Sequence, residues 1–307
     1  MSQGLSWNYE EVGCPVCGQA AYEKLGIRGN REYSGADPKA EPHMVTNVAR
    51  CKNCGFIYTN PMIRGVEHLE LEHYRNAEAY QSSRIDDVSG MFRSRVDVLK
   101  KIKPAGDLLD VGAGKGEFLS EAIKAGFTGE GVEPSGVFCE FARKNYGVTM
   151  HQGLLGQTDS VDGKTYDLIS LLHVLEHVDD PNSLMETFKN YLKKDGVLFI
   201  EVPNTESTFL KIIDRYYKMK GLNWSSRLSP LHPPFHKYGY NPRSLRYILE
   251  SHGFEVLKMW TLSGKDRGFE KKKGVAGLEV GLRDLATNMI DMWGNRELLC
   301  AVARQKQ

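Results

Sequence analysis

What this 307-residue chain lacks narrows it before any motif is read. No stretch approaches the ~18 uncharged apolar residues of a membrane-spanning helix. Met1 to Trp7 show none of the basic, apolar and small-residue pattern of a secretory leader. Neither sign of charge dominates, since 40 Lys and Arg stand against 39 Asp and Glu for a net charge of +1. Such a balance gives no global attraction to a phosphate backbone or an acidic membrane. The expectation is a cytosolic protein with neither a membrane nor a nucleic acid as partner. With 41% apolar and 26% charged residues, the chain has the composition and length for a full α/β domain plus a smaller module.

The most informative absence is one glycine. Leu108 to Val111 read as a short apolar strand containing Asp110, and the chain then breaks into a turn with glycines at 112, 114 and 116. A nicotinamide dinucleotide loop, G-x-G-x-x-G, would place its third glycine at 117. That position is Glu117, which argues against a nicotinamide oxidoreductase. With no pyrophosphate to cradle, a loop of this shape suits a zwitterionic amino acid joined to a nucleoside. Asp110 is placed to attract its ammonium, and the helix that follows turns its first amides toward the ligand. Phe127 to Glu133 read as the next strand, and its terminal acid, Glu133, can accept hydrogen bonds from both ribose hydroxyls. A third segment, Tyr166 to Pro181, runs as a buried strand into the polar turn Leu172-His173-Val174-Leu175-Glu176-His177.

The loop at 110–118 resembles motif I of the class I S-adenosylmethionine (SAM) methyltransferases. The third segment, Y-D-L-I-x-x-x-H-V-L-E-H-V-x-D-P, is similar to small-molecule enzymes grouped with the ubiquinone-biosynthesis O-methyltransferases and with sugar, polysaccharide and natural-product methyltransferases. The resemblance implies SAM as cofactor, leaving as S-adenosylhomocysteine. It implies a cofactor loop of Asp110, Gly112, Ala113, Gly114, Gly116 and Phe118, with Glu133 and Pro134 at the ribose. Gly153 and Leu154 would lie on the adenine side. Leu172 and His173 would sit beside the sulfonium, and Glu176 with His177 would shape the pocket floor, His177 either as a cofactor contact or as an orienting group.

Apolar periodicity predicts strands at 107–111, 128–133, 147–151, 166–172 and 196–202, with helices at 116–125, 135–146 and 181–194 between them. Alternating βα units imply a parallel sheet with ligands at the carboxyl ends of its strands. Gly253 to Leu257 and Glu297 to Val302 supply the last two strands, pairing antiparallel. The expected fold is therefore α/β, a Rossmann-like seven-stranded class I methyltransferase sheet, mostly parallel with the last strand antiparallel. A small N-terminal zinc-ribbon-like module precedes it.

That module rests on Cys14-Pro15-Val16-Cys17-Gly18 and Cys51-Lys52-Asn53-Cys54-Gly55. A C-x-x-C turn presents two thiolates to one tetrahedral ion, and two such turns complete a closed Cys₄ site for structural zinc, with no position left for substrate. Cys139 and Cys300 lie in apolar segments and read as core. The expected organisation is a zinc-binding module at 1–62, a helical lead-in or lid at 63–104, and a methyltransferase domain at 105–307. Within 63–104, Val66, Leu69, Tyr74, Met91, Val96 and Leu99 show helical spacing.

An aromatic insertion at 205–240 follows the fifth parallel strand and is placed to wall the acceptor pocket. P-P-x-H-x-x-x-[FY]-x-P-x-S-L resembles a family stretch whose histidine, matched by His236, faces the active site. A hydroxyl acceptor benefits from a base near neutral pH, and the candidates in order are His236, His173 and His232. The stripe Leu278, Leu282, Leu285, Met289 and Met292 reads as core or as a dimer face, which leaves monomer and homodimer both open, and Lys271 to Lys273 as a solvated loop tip. The expected reaction is methyl transfer to a small molecule, with O-methylation favoured. The alternatives are an RNA-directed methyltransferase, opposed by Leu171-Leu172-His173-Val174 where an amine methylase would carry N-P-P-Y, and a non-catalytic SAM-binding zinc scaffold.

Overall fold

Seven strands form the central sheet of the computed structural model, which describes residues 8–29, 45–64, 89–230, 236–262 and 295–306. His232, the lead-in residues Val66, Leu69 and Tyr74, the Lys271–Lys273 run and the stripe from Leu278 to Met292 lie outside the described residues. The sheet strands are β6 (Asp107–Val111), β7 (Thr128–Glu133), β8 (Thr149–Gln152), β9 (Tyr166–Leu172), β10 (Leu192–Pro203), β11 (Phe254–Leu262) and β12 (Leu298–Gln305). Their order is β11-β12-β10-β9-β6-β7-β8. Pairings from β8 across to β10 are parallel, and β12 is antiparallel to both β10 and β11. This is the expected sheet, with one inverted strand.

Alternation along the buried strands explains the two apolar layers. Leu109, Val111, Ile169, Leu171, Leu198 and Ile200 face one side, while Leu108, Leu168, Val197 and Phe199 face the other. The first side is covered by α4 (Pro181–Tyr191) and α6 (Pro242–Ser251). The second is covered by α1 (Ser89–Lys100), α2 (Glu117–Lys124) and α3 (Gly136–Tyr146). Val96 and Leu99 of α1 are buried, as their spacing predicts, and so are Cys139 and Cys300. α5 (Thr208–Met219) occupies part of the insertion after β10.

One boundary differs from the sequence reading. The helix expected to reach 194 stops at Tyr191, and Leu192 opens β10 by pairing with Tyr166 before a bulge resets the register at Val197. Burial of Leu192 and the pairing bridge override the helical preference of Leu-Lys-Lys. Gly196 leaves room for the bulge, since a Cβ there would meet the Tyr166 carbonyl at 2.8 Å.

The N-terminal segments form β2 (Tyr22–Gly29), β3 (Val45–Cys51) and β4 (Ile57–Thr59) in one antiparallel sheet, with β1 (Asn8–Glu10) pairing β5 (Met62–Arg64) beside it. They are not isolated from the larger sheet. Cys14, Cys51, Cys54, Phe56 and Tyr58 belong to the same apolar cluster as Tyr238, Tyr240 and Leu245. β4 bridges Gly239 through reciprocal backbone hydrogen bonds of 3.0 and 2.8 Å.

Candidate active site

The glycine turn begins where β6 ends. Gly112, Gly114 and Gly116 all have left-handed backbones, with φ of 68°, 53° and 78°. A Cβ on Gly112 would lie 2.4 Å from a Val174 methyl, so close packing of the turn on the segment after β9 requires glycine there. Around Gly114 a Cβ would meet nothing within 4 Å, so the backbone is open to a ligand at that point. Ala113 and Phe118 are buried. Phe118 packs between Phe92 and Phe199, so its ring belongs to the core on the α1 side rather than to the open face of the turn. The apolar face of α2 draws it there.

Glu133 stands beside this turn. One carboxylate oxygen accepts from the Gly114 N–H at 3.0 Å and the other from the Ser135 N–H at 2.9 Å. Each oxygen keeps a further lone pair for a ligand hydroxyl. Burial raises the Glu133 carboxyl above its usual range, and these two N–H donors partly oppose that shift. The Gly153 N–H donates to the Glu133 carbonyl at 3.1 Å, which brings the loop after β8 against the same strand end. Leu154 is half exposed there and Pro134 is exposed. Asp110 lies deeper, 2% exposed, with the Ser170 hydroxyl donating to it at 2.7 Å. Burial pushes its carboxyl up to about 7, with the Ser170 bond opposing and the charge of Glu133 adding.

The turn after β9 carries the densest chemistry. His173 is the one non-glycine residue among those described with a positive φ, 58°. That conformation costs a side-chain-bearing residue about 1–2 kcal/mol. Its N–H donates to the Glu201 carbonyl at 2.9 Å. Its ring Nδ1 lies 3.3 Å from Glu176 Oε1 and its Nε2 lies 3.3 Å from Glu201 Oε1. Burial alone would lower the imidazole pKa, but the two carboxylates outweigh it and push the group up to about 9. Its side chain remains 36% exposed. Leu172, just before it, is half-buried.

Glu176 is fully buried. Its Oε1 also lies 3.8 Å from His236 Nε2, and the His236 ring meets the His177 ring edge-on at 5.1 Å. Donor atoms of Glu176, His177 and His236 thus all lie within 4.8 Å of one another. Backbone N–H groups of Lys237 and Tyr238 donate to the Glu176 carbonyl at 3.1 and 3.2 Å, which fixes the residues after His236 on the β9 turn. The His236 N–H is itself held by the Ser229 hydroxyl at 3.3 Å. Two further residues escaped the sequence reading. Arg95 and Glu201, each 1% exposed, meet as an ion pair whose Nε–Oε2 distance is 2.9 Å. The available signal was an acid inside the apolar run Leu198-Phe199-Ile200-Glu201-Val202.

The four N-terminal cysteines converge as their spacing predicts. Cys14 and Cys54 sulfurs are 3.5 Å apart, Cys17 and Cys51 sulfurs also 3.5 Å, and all four lie within 4.8 Å of one another. A disulfide needs ~2.05 Å, and a tetrahedral ion with ~2.3 Å bonds needs sulfurs ~3.8 Å apart. The cluster fits the ion. Gly18 and Gly55, both left-handed, close the two turns by donating to the Cys14 and Cys51 carbonyls.

Comparison with known proteins bears on the larger domain. A family model described as a methyltransferase domain matches residues 80–259. The chain belongs to that family. The methyltransferase is 35% identical over 127 residues to a ubiquinone biosynthesis O-methyltransferase of Actinobacillus pleuropneumoniae serotype 5b, covering 38% of this chain and 54% of that protein. The chain thus spans about half the length of the curated relative it matches. It is also 29% identical over 129 residues to a tRNA U34 carboxymethyltransferase of Alteromonas mediterranea, covering 38% of this chain and 39% of that protein. A solved SAM-dependent methyltransferase from Thermotoga maritima superposes with a TM-score of 0.51 at 20% identity, covering 78% of this methyltransferase and all of that chain. That likeness supports the fold.

Proposed function

We propose that the protein transfers the methyl group of SAM to a hydroxyl of a small-molecule acceptor. The observation that carries this reading is the placement of Gly114, Glu133, His173, Glu176 and His236 along the carboxyl ends of β6, β7 and β9. An open backbone cradle and a ribose-binding acid thereby adjoin a histidine–carboxylate pair. The bound cofactor supplies a methyl group on a sulfonium, already a good leaving group, so the protein's task is alignment of the acceptor at ~3 to 3.5 Å.

Gly114 gives the cofactor its close approach, and Glu133 holds the ribose. His236, with Glu176 at 3.8 Å, accepts the hydroxyl proton as the oxygen–carbon bond forms. The proton would rest on His236, and the carboxylate of Glu176 would stabilise the resulting cation. His173 is not the base in this reading, because both its ring nitrogens already face carboxylates. In this reading the described parts of the insertion, 205–230 and 236–240, would wall the acceptor, and the four cysteines would hold structural zinc. The similarity to ubiquinone biosynthesis O-methyltransferases supports a small acceptor and O-methylation. Transfer to RNA has the tRNA relatives in its favour, and a net charge of +1 supplies no global attraction to a phosphate backbone.

Calorimetry of the zinc-loaded protein with SAM and with NADH, side by side, tests the reading. Micromolar SAM binding without heat from NADH supports it, and methyl transfer is then screened on sugars and phenolic metabolites. A protein that binds NADH and not SAM refutes it.

A further inference from the structure

A line of alternating charge crosses the floor of this cleft. Arg95 projects from α1, on the side of the sheet away from the cysteines, and its guanidinium forks onto Glu201 of β10, Nε to Oε2 at 2.9 Å and Nη2 to Oε1 at 3.3 Å. Its third nitrogen, Nη1, donates to the Met91 carbonyl at 3.1 Å, so the arginine is anchored on its own helix as well. Glu201 then faces His173 Nε2, His173 Nδ1 faces Glu176, and Glu176 faces His236. Arg95, Glu201 and Glu176 are each at most 1% exposed, whereas the two histidines are partly exposed.

A network of this kind is hard to explain as a stabilising device. Buried ion pairs lose much of their attraction to desolvation, and well-packed apolar side chains commonly do as well for stability. Here the network also holds a β9-end residue in a left-handed backbone that glycine or asparagine would adopt more readily. Burial opposes ionisation of Glu176 and Glu201, but their bonds to His173 hold both carboxyls below the usual range, and a ring with an ionised carboxylate oxygen at each nitrogen carries a proton on both. Two acids therefore share one imidazolium, and the remaining cation, Arg95, balances the second acid.

We propose that Arg95 and Glu201 are positioning residues of the methyl-transfer cleft, which fix His173 as a doubly protonated ring and through it set the Glu176 carboxylate against His236. Neither residue touches the reacting atoms. Arg95 orients the two oxygens of Glu201, and Glu201 fixes the plane of the His173 ring by its side chain and the backbone of the same residue by its carbonyl. His173 in turn occupies one side of Glu176 Oε1, so that the carboxylate can neither rotate away from His236 nor lose its charge to it. The inference rests on the reading of the cleft as a methyl-transfer site.

The test uses the full, zinc-loaded chain with nitrogen-15 in its histidine rings, saturated with S-adenosylhomocysteine and observed by NMR at pH 8. His173→Asn, which accepts the left-handed backbone, assigns the His173 signals, and His236→Gln assigns those of His236. In the wild type both His173 ring nitrogens are expected to carry protons. In Glu201→Gln and in Arg95→Lys, each checked for cooperative melting, His173 is expected to drop to one ring proton in a substantial fraction of molecules, and the His236 signals to move with it.

An ion pair of purely structural value would change the melting temperature and leave both rings as they were. A wild-type His173 with a single ring proton overturns the proposal even if neither variant folds. So does a His173 and His236 pair indifferent to both variants while S-adenosylhomocysteine still binds, and in that case the methyl-transfer reading survives. Absence of S-adenosylhomocysteine binding in the wild type removes that reading and this proposal together.

Discussion

The side-chain amide of Asn241 donates to the carbonyl of Gly55 at 2.7 Å, so the cap of α6 is tied to the residue that follows Cys54. Arg243 extends the tie, donating to the Lys52 carbonyl at 3.2 Å and to that of Asn53. Phe56 packs edge-on against Tyr240 at 5.0 Å and tilted against Tyr238 at 5.3 Å. The second cysteine turn therefore buttresses the strap from His236 to Asn241, and the metal site and the candidate base are mechanically connected.

Removal of zinc by a strong chelator is accordingly expected to do more than unfold a detached module. Structural zinc contributes on the order of 10–16 kcal/mol of folding free energy in isolated zinc-finger peptides. Here part of that is replaced by the apolar cluster that Phe56 and Tyr58 share with the large sheet. Near-ultraviolet circular dichroism, which follows the packed aromatics around Phe56, should fall with the metal content while the far-ultraviolet signal of the large sheet largely persists. Cys51→Ser should show the same loss together with reduced zinc on metal analysis. Full zinc occupancy in that variant would end the four-cysteine assignment.

The sheet was legible in the sequence where local chemistry and burial agree. Strands β6 and β9 begin and end where their apolar runs do, because each is largely buried and stops at a turn with its own signature, while β7 is bounded by Gly126 before it and Pro134 after it. The end of α4 was not legible, since the pairing of Leu192 with Tyr166 is a contact 26 positions away in the chain that no local preference encodes. Arg95 and Glu201 were hidden for a related reason. The helical spacing around Val96 and Leu99 correctly marks the buried face of α1, yet a charged residue adjacent to that face reads as solvated until its partner on β10 is seen. The ring of Phe118 packs against Phe199, a contact 81 positions away that its place in the motif does not announce. The residues that the sequence does mark, the three glycines and Glu133, sit in a turn and at a strand end whose spacing along the chain is itself the signal.

Glu133→Ala should weaken SAM binding by about 1.5 to 3 kcal/mol, the usual worth of a hydrogen bond to a charged group. The same change frees the Gly114 N–H from its 3.0 Å bond and so loosens the turn that gives the cofactor access. Glu133→Gln, which keeps an oxygen acceptor and loses the charge, should fall between alanine and wild type. Titration calorimetry reads all three, and equal affinities across the series would displace Glu133 from the ribose.

If Asp110 meets the cofactor as proposed, cofactor binding should be proton-linked. Burial holds its carboxyl near 7 rather than near the usual ~3.9, so in the cofactor-free protein it is largely protonated below pH 7. A raised carboxyl contributes stability that is fully present below its unfolded value and lost as the pH rises through about 7. SAM brings a sulfonium and an ammonium, which favour the ionised form and lower that value. Binding at pH 6.5 should therefore release a fraction of a proton, measurable as a dependence of the binding heat on buffer ionisation enthalpy. Asp110→Asn keeps an acceptor for the Ser170 hydroxyl, and it should abolish both that dependence and the corresponding fall in melting temperature between pH 5 and 8. A proton release unchanged in Asp110→Asn would assign the linkage to another group.

His236 is where the proposed chemistry is most exposed to refutation. Its N–H is anchored by Ser229, its neighbours are anchored by the Glu176 carbonyl, and its ring lies against His177 with Glu176 Oε1 at 3.8 Å. Removing the imidazole should thus leave the strap and the cofactor turn in place. General base catalysis by a positioned group is worth about 10²- to 10⁴-fold, so His236→Ala should lower kcat on a hydroxyl acceptor by that order with SAM affinity near the wild-type value. His236→Gln fills the same space and cannot take the proton, which makes it as slow as the alanine variant if proton removal is the role. If glutamine restores the rate, His236 acts by shape, and the base must be sought elsewhere in the cleft. Single-turnover rates of the three proteins, measured at saturating SAM, separate these outcomes because they isolate the transfer step from product release.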